Sequence, residues 1–122
     1  MISFKWNYGA MIALVGALAC GGSTATECCV ADRLTVLDAT ASSIEANHFV
    51  ADWAVDDNQD SRWASNGPNH GSPRQWLQLD LGQICVIDSV TLEWERAYSR
   101  YYQIEVSDDA NSWVAVFTET EA

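Results

Sequence analysis

Three stretches carry side chains able to do chemistry. The first reads Ala54-Val55-Asp56-Asp57-Asn58-Gln59-Asp60-Ser61-Arg62-Trp63-Ala64-Ser65, with four carboxylates between Asp52 and Asp60 and Arg62 as the only basic residue nearby. Carboxylates this crowded repel one another unless a cation relieves them, and oxygen donors select a hard cation. A solvated acidic loop is the alternative that composition alone favours. The second stretch, Asn66-Gly67-Pro68-Asn69-His70-Gly71-Ser72-Pro73-Arg74, sets amides, an imidazole and a guanidinium between glycines and prolines. The third, Glu95-Arg96-Ala97-Tyr98-Ser99-Arg100-Tyr101, carries two guanidiniums and two phenols. Planar donors and acceptors beside aromatic faces are equipment for recognition. The candidate ligand-binding residues are therefore His70 and Arg96, with Tyr98, Arg74 and Asn69 beside them, although each alone reads better as part of a solvated loop.

Catalytic signatures are missing. Ser, His and Asp occur, but no Gly-x-Ser-x-Gly elbow or His-Glu-x-x-His run does. Glu93 and Glu95 are two residues apart on one strand face, a spacing in which paired-carboxylate glycosidase chemistry can be imagined. A solvent-facing sheet edge explains them better, and the chain is expected not to be an enzyme.

Composition narrows the partners. The formal net charge is −11, no lysine follows Lys5, and the five arginines are scattered. Phosphate binding needs clustered Lys and Arg, so nucleic acid is excluded and anionic lipid headgroups are unattractive. At 122 residues the chain suits one domain, and 48% hydrophobic residues with six Trp exclude a disordered one.

The elements that position these loops follow a period of two. Leu77, Leu79 and Leu81 alternate with Trp76, Gln78 and Asp80, and Gly82 ends the run. Val86, Val90, Leu92 and Trp94 share a face, with Ile87 marking a bulge. Tyr102, Ile104 and Val106 alternate with polar residues, Ser107 to Ser112 is a polar turn, and Trp113 to Thr118 is the return strand. With Leu34 to Ala39 this gives about five strands and an antiparallel β-sandwich. The stretch Ser42 to Arg74 is long for a loop, a length that marks function or internal bracing.

Residues 1–19 read as an export signal. Lys5 precedes the mostly apolar run Tyr8 to Ala19, which is too short to span a bilayer, and Ala17-Leu18-Ala19 offers small residues to a signal peptidase. Cys20-Gly21-Gly22-Ser23 resembles a bacterial lipobox, with Cys20 the residue that would be acylated and tied to a membrane; plain cleavage after Ala19 is the alternative. Residues 20–33 form a tether, and residues 34–122 the domain. Export makes Cys28, Cys29 and Cys85 disulfide candidates without fixing a pairing, and their spacing supports no zinc site.

The segments resemble, in order, the discoidin or coagulation factor 5/8 type C domain, whose bacterial members overlap carbohydrate-binding module family 32. The resemblance rests on Ala41-Ser42-Ser43, on Ala54-Val55-Asp56 through Ser61-Arg62-Trp63-Ala64-Ser65, and on Trp76-Leu77-Gln78-Leu79-Asp80-Leu81-Gly82. It continues through Ile87-Asp88-Ser89-Val90-Thr91-Leu92-Glu93-Trp94 and Tyr102-Gln103-Ile104-Glu105-Val106-Ser107-Asp108-Asp109, then Trp113. It implies an all-β antiparallel jelly-roll sandwich, incomplete at its C-terminus because the family's closing strands do not appear before Ala122. It implies structural calcium, held by side-chain oxygens of Asp56 and Ser61 and by carbonyls of Trp53, Asn58 and Ser61, weakly in the absence of the family's terminal Glu. Asp57 stands where the family usually has Gly. Trp63, Trp76, Trp94 and Trp113 fall at core or strand-end positions, whereas Trp53 is unusual for the family.

The function implied is a non-catalytic module that attaches an exported bacterial protein, at the cell surface or secreted, to a glycan or glycoconjugate. An adhesion or protein-interaction module of the same fold, or an accessory domain of a glycoside hydrolase, are the alternatives.

Overall fold

In the computed structural model, residues 1–6, 11–13, 35–66, 74–82, 87, 89–96 and 98–120 are described. They form eight strands and one short 3₁₀ turn: β1 (Ile2–Trp6), β2 (Met11–Ala13), β3 (Asp38–Ala41), the 3₁₀ turn η1 (Ala51–Ala54), β4 (Trp63–Ala64), β5 (Gln75–Asp80), β6 (Glu93–Trp94), β7 (Tyr102–Val106) and β8 (Val114–Glu119). One sheet has the order β3-β5-β1-β7-β8 and the other β4-β2-β6, with every pairing antiparallel. This is the all-β antiparallel sandwich that the period-two pattern predicts.

The alternation along β5 decides which face is inside. Leu77 and Leu79 are completely buried and Leu81 is 7% exposed, while Trp76, Gln78 and Asp80 are half-buried. Trp63, Ala39 and Ile104 complete the centre, with Ala51 and Ala54 of η1 packed beside them. The 3₁₀ turn packs on β3 of one sheet and on β2 and β4 of the other. The long stretch from Ser42 is thus internally braced: two small alanines let its backbone sit between the sheets. Gly82 ends the β5 segment with φ +78, and a Cβ there would stand 3.1 Å from Leu37 Cδ2. Glycine meets both demands, conformational and steric.

Several boundaries differ from the sequence reading. The strand expected over Leu34 to Ala39 is Asp38–Ala41, and Leu37 before it is 71% exposed. Among the described residues from Ile87 to Trp94, Glu93–Trp94 is regular strand; Val90, Leu92 and Trp94 of the expected face pack against the core, Ile87 packs there as well, and Val86 lies outside the described residues. The largest difference is at the start of the chain. Ile2–Trp6 and Met11–Ala13, within the run assigned to an export leader, form the middle strand of each sheet. Met11–Ala13 sits in an apolar run that looks the same whether it is a leader's hydrophobic stretch or a buried strand, while Ile2, Phe4 and Trp6 alternate with Ser3 and Lys5 at a strand's period of two. Cys20, Cys28, Cys29 and Cys85, with the whole tether 20–33, lie outside the described residues.

The polar turn between β7 and β8 is built around Asp109. Its Oδ1 accepts from the amides of Ser112 and Asn111, both at 2.9 Å, and from the Ser107 hydroxyl at 3.1 Å. These donors, the Ser112 amide foremost, hold the Asp109 carboxyl below the usual carboxylate range. A carboxyl depressed by folding stabilises above its unfolded pKa, about 3.9, and loses that contribution as pH falls through the lower folded value. The stability gap between the native chain and Asp109→Ala should be constant above about pH 5 and shrink below about pH 4. Thermal melts of both proteins across that range check it, and a pH-independent gap would show that the charge is not what matters.

Candidate functional site

A polar knot anchors the two ends of the 66–74 loop. Ser42 and Ser43 hydroxyls both donate to Gln75 Oε1, and Gln75 is 3% exposed. Ser43 Oγ also accepts from the Asn66 amide at 3.0 Å, and Ser42 Oγ from the Trp76 amide at 2.9 Å. The Ser43 carbonyl accepts from Trp63 Nε1 at 3.0 Å. The Ala41-Ser42-Ser43 motif therefore pins both feet of the loop, Asn66 and Gln75–Trp76, to β3 and to the core tryptophan. Arg74 is exposed at the loop's end, while Asn69 and His70 lie outside the described residues.

The acidic loop closes on itself. Asp56 Oδ1 accepts from the Asn58 amide at 3.0 Å and Oδ2 from the Ser61 hydroxyl at 2.6 Å. The Ser61 hydroxyl also lies 2.9 Å from the Asn58 carbonyl oxygen, and Asn58 Oδ1 accepts from the Asp60 amide at 3.0 Å. The turn requires left-handed backbone at Asp57, φ 62, where Asp is tolerated better than most side chains. The structure thus gathers oxygens of Asp56, Asn58 and Ser61, and sets Trp53 half-buried in η1, just upstream. Among the described residues no group of three or more His, Cys, Asp or Glu could hold a metal ion. The donor set suits a hard cation in kind, with one carboxylate among neutral oxygens, and few charged ligands make for low affinity.

Beside this loop stands the end of β6. Gln59, Asp60, Ser61 and Arg62 face Glu93, Trp94 and Glu95 across a polar cleft of about 120 Å³. Sites that enclose a small ligand are typically 300–1,000 Å³, so nothing of that size is swallowed here, and contacts must be made at the surface. The Arg62 guanidinium lies 4.5 Å over the Phe49 ring, and its buried Nε has no hydrogen-bond partner. Immediately after the cleft, Arg96 is exposed, with its amide donating to Glu95 Oε2 at 2.8 Å. Tyr98 is 47% exposed and tilts against Trp94 at 6.5 Å between ring centroids, while Trp94 leans on Tyr102 at 5.2 Å. Ser99 is buried and donates to the Tyr101 carbonyl at 2.8 Å, which fixes the connection and turns Tyr98 and Tyr101 outward.

Arg96 and Tyr98 follow β6 two residues apart, both exposed, and residues 59–62 of the acidic loop face the end of β6 across the cleft. Arg74 opens a strand of the other sheet. The sequence reading assigned Trp94 to the core alone and missed it as the ring that backs Tyr98. The spacing of Glu93 and Glu95 was the available signal, since both carboxylates line the cleft on either side of Trp94. Trp63 is fully buried, and Trp53, Trp76 and Trp113 are half-buried.

Residues 38–122, most of the chain, match the F5/8 type C domain. The chain belongs to this family. No curated protein and no solved structure shows a significant match. F5/8 type C domains are non-catalytic binding modules, and the described site agrees in character: an exposed ring and cation beside a shallow polar cleft, held by a braced scaffold.

Proposed function

We propose that this F5/8 type C domain binds a neutral or amino sugar of a glycan through the surface formed by Arg96 and Tyr98, with Asn69, His70 and Arg74 of the 66–74 stretch as further ligand-binding residues. The observation that carries the proposal is Tyr98, an exposed ring held in place by Trp94 and flanked by Arg96. A pyranose offers a C–H patch to such a ring and hydroxyls to planar donors. The charge of −11 repels polyanionic glycans, which favours a neutral or cationic sugar. Affinity should be about 0.1–1 mM, since hydroxyls exchange water bonds for protein bonds at small net gain. On a glycan array, Arg96→Ala and Tyr98→Ala should each abolish the signal with melting temperature unchanged. A signal that survives both would place the sugar elsewhere on the domain.

The loop Asp56–Ser61 would hold calcium through Asp56, Asn58 and Ser61, with the Trp53 carbonyl as a further ligand, and its part would be structural. A cation bound only by the folded state stabilises it by mass action, on the order of 1–3 kcal/mol at calcium 10 to 100 times its dissociation constant. Calcium should raise the melting temperature of the native chain, a chelator should reverse the rise, and Asp56→Ala should show neither. A melting temperature indifferent to calcium and chelator would remove the metal from the loop.

A further inference from the structure

β1 and β2 hold the same place in their sheets, the middle. β1 is hydrogen-bonded on one side to β5, with Ile2 opposite Leu79 and Trp6 opposite Gln75, and on the other to β7, with Ile2 opposite Val106 and Trp6 opposite Tyr102. β2 stands between β4 and β6 in the same manner. Without these two strands the first sheet separates into the ribbons β3–β5 and β7–β8, and the second into β4 and β6 with no common partner. Two-stranded ribbons are marginal in water. The outer strands all lie in the family match, residues 38–122, and both middle strands lie ahead of it.

We propose that residues 38–120 form a strand-acceptor frame, with a two-strand vacancy through the centre of the sandwich, and that the chain's own Ile2–Trp6 and Met11–Ala13 are its inserted occupants. The acceptor's chemistry can be read from its walls. β5 and β7 are each antiparallel to β1 and so run parallel to each other, and the groove between them takes a strand of opposite direction only. Its edges are rows of backbone donors and acceptors, which bind a peptide main chain whatever its side chains. Selectivity comes from position 3, where Ser3 is 1% exposed and a charged side chain would lose its hydration. The occupant's end is fixed at the β7–β8 turn: the Met1 ammonium donates to the Ser107 carbonyl at 2.9 Å, and the Ser107 amide donates to the Met1 carbonyl at 3.0 Å. An export leader over residues 1–19 and the inserted strands Ile2–Trp6 and Met11–Ala13 draw on the same segment. Cleavage after Ala19 would therefore open the frame to another strand of the same pattern.

Hydrogen exchange on the full, unmodified chain tests this. Amides of Ser3, Phe4, Lys5 and Ile12 should exchange as slowly as those of Leu77 and Ile104. Free exchange over residues 2–6 and 11–13, with β5 and β7 still protected, would overturn the proposal. In a Ser3→Pro variant, proline removes a ladder donor and clashes in a central strand. Protection at Leu77 and Ile104 should fall at least tenfold, and added synthetic peptide Met1–Asn7 should bind and restore the melting temperature, while the same peptide carrying Ser3→Asp does neither. A Ser3→Pro chain with native melting temperature and native protection would also overturn it. Should that variant fail to fold even with peptide in excess, the exchange pattern of the unmodified chain decides.

Discussion

Trp63→Ala is expected to cost about 3–5 kcal/mol of folding free energy, which for a domain stabilised by roughly 5–15 kcal/mol brings it close to unfolding. Trp63 is completely buried in β4, in the core shared with Leu77, Leu79 and Ala54. Truncation leaves a cavity that the two sheets cannot close, because η1 and the strands around it are fixed by backbone hydrogen bonds. It also removes the Nε1–H that donates to the Ser43 carbonyl, at the point where the Ser42–Ser43–Gln75 knot ties the 66–74 loop to β3. Urea denaturation should show a lower midpoint with an unchanged slope, since cavity formation changes stability and not the surface exposed on unfolding. Trp76→Ala, at a half-buried position on the other side of β5, should cost clearly less. Equal costs would mean that Trp63 does not fill the interior.

Leu79→Ala should cost about 2–5 kcal/mol, the second largest loss. Leu79 is completely buried, and its backbone is paired with Ile2 of β1 on one side and Ala39 of β3 on the other. Losing its side chain opens a void at the line where three strands meet. The comparison is Val116→Ala on β8, 58% exposed, where the change should stay within about 0.5 kcal/mol. Equilibrium denaturation of the two variants side by side measures the difference. Similar losses would show that the inward and outward faces have been assigned wrongly.

Leu79 also illustrates what the sequence made legible. Leucine at every second position from 77 to 81, with Trp76, Gln78 and Asp80 between, allows one placement only, one face in and one face out, and the structure follows it. The same logic found β7 and the Asp109 turn, because local hydrogen bonding and side-chain alternation are properties of neighbouring residues. Asp57 was legible too, since a residue able to take positive φ stood where the acidic loop must double back. What escaped was decided by distant partners. Met11–Ala13 lies in an apolar run with no alternation to reveal it, and Ile2–Trp6, although Ile2, Phe4 and Trp6 alternate with Ser3 and Lys5, is absorbed into the leader reading. Val90 to Trp94 has the right apolar face yet makes only a two-residue ladder, because pairing depends on β2, which the pattern did not show. In the site, Arg96 and Tyr98 were visible as a cluster in one loop. That Trp94 supports Tyr98, and that residues 59–62 approach Glu93 and Glu95, required the fold.

The most direct test of the binding proposal is a titration of the isotopically labelled full chain with neutral and amino monosaccharides, followed by NMR. We expect fast-exchange shifts that saturate with a dissociation constant of about 0.1–1 mM, centred on Arg96, Tyr98, Tyr101 and the Trp94 indole and extending to residues 66–74. Shifts confined to other faces of the sandwich, or none with any sugar up to about 50 mM, far above that range, would contradict it.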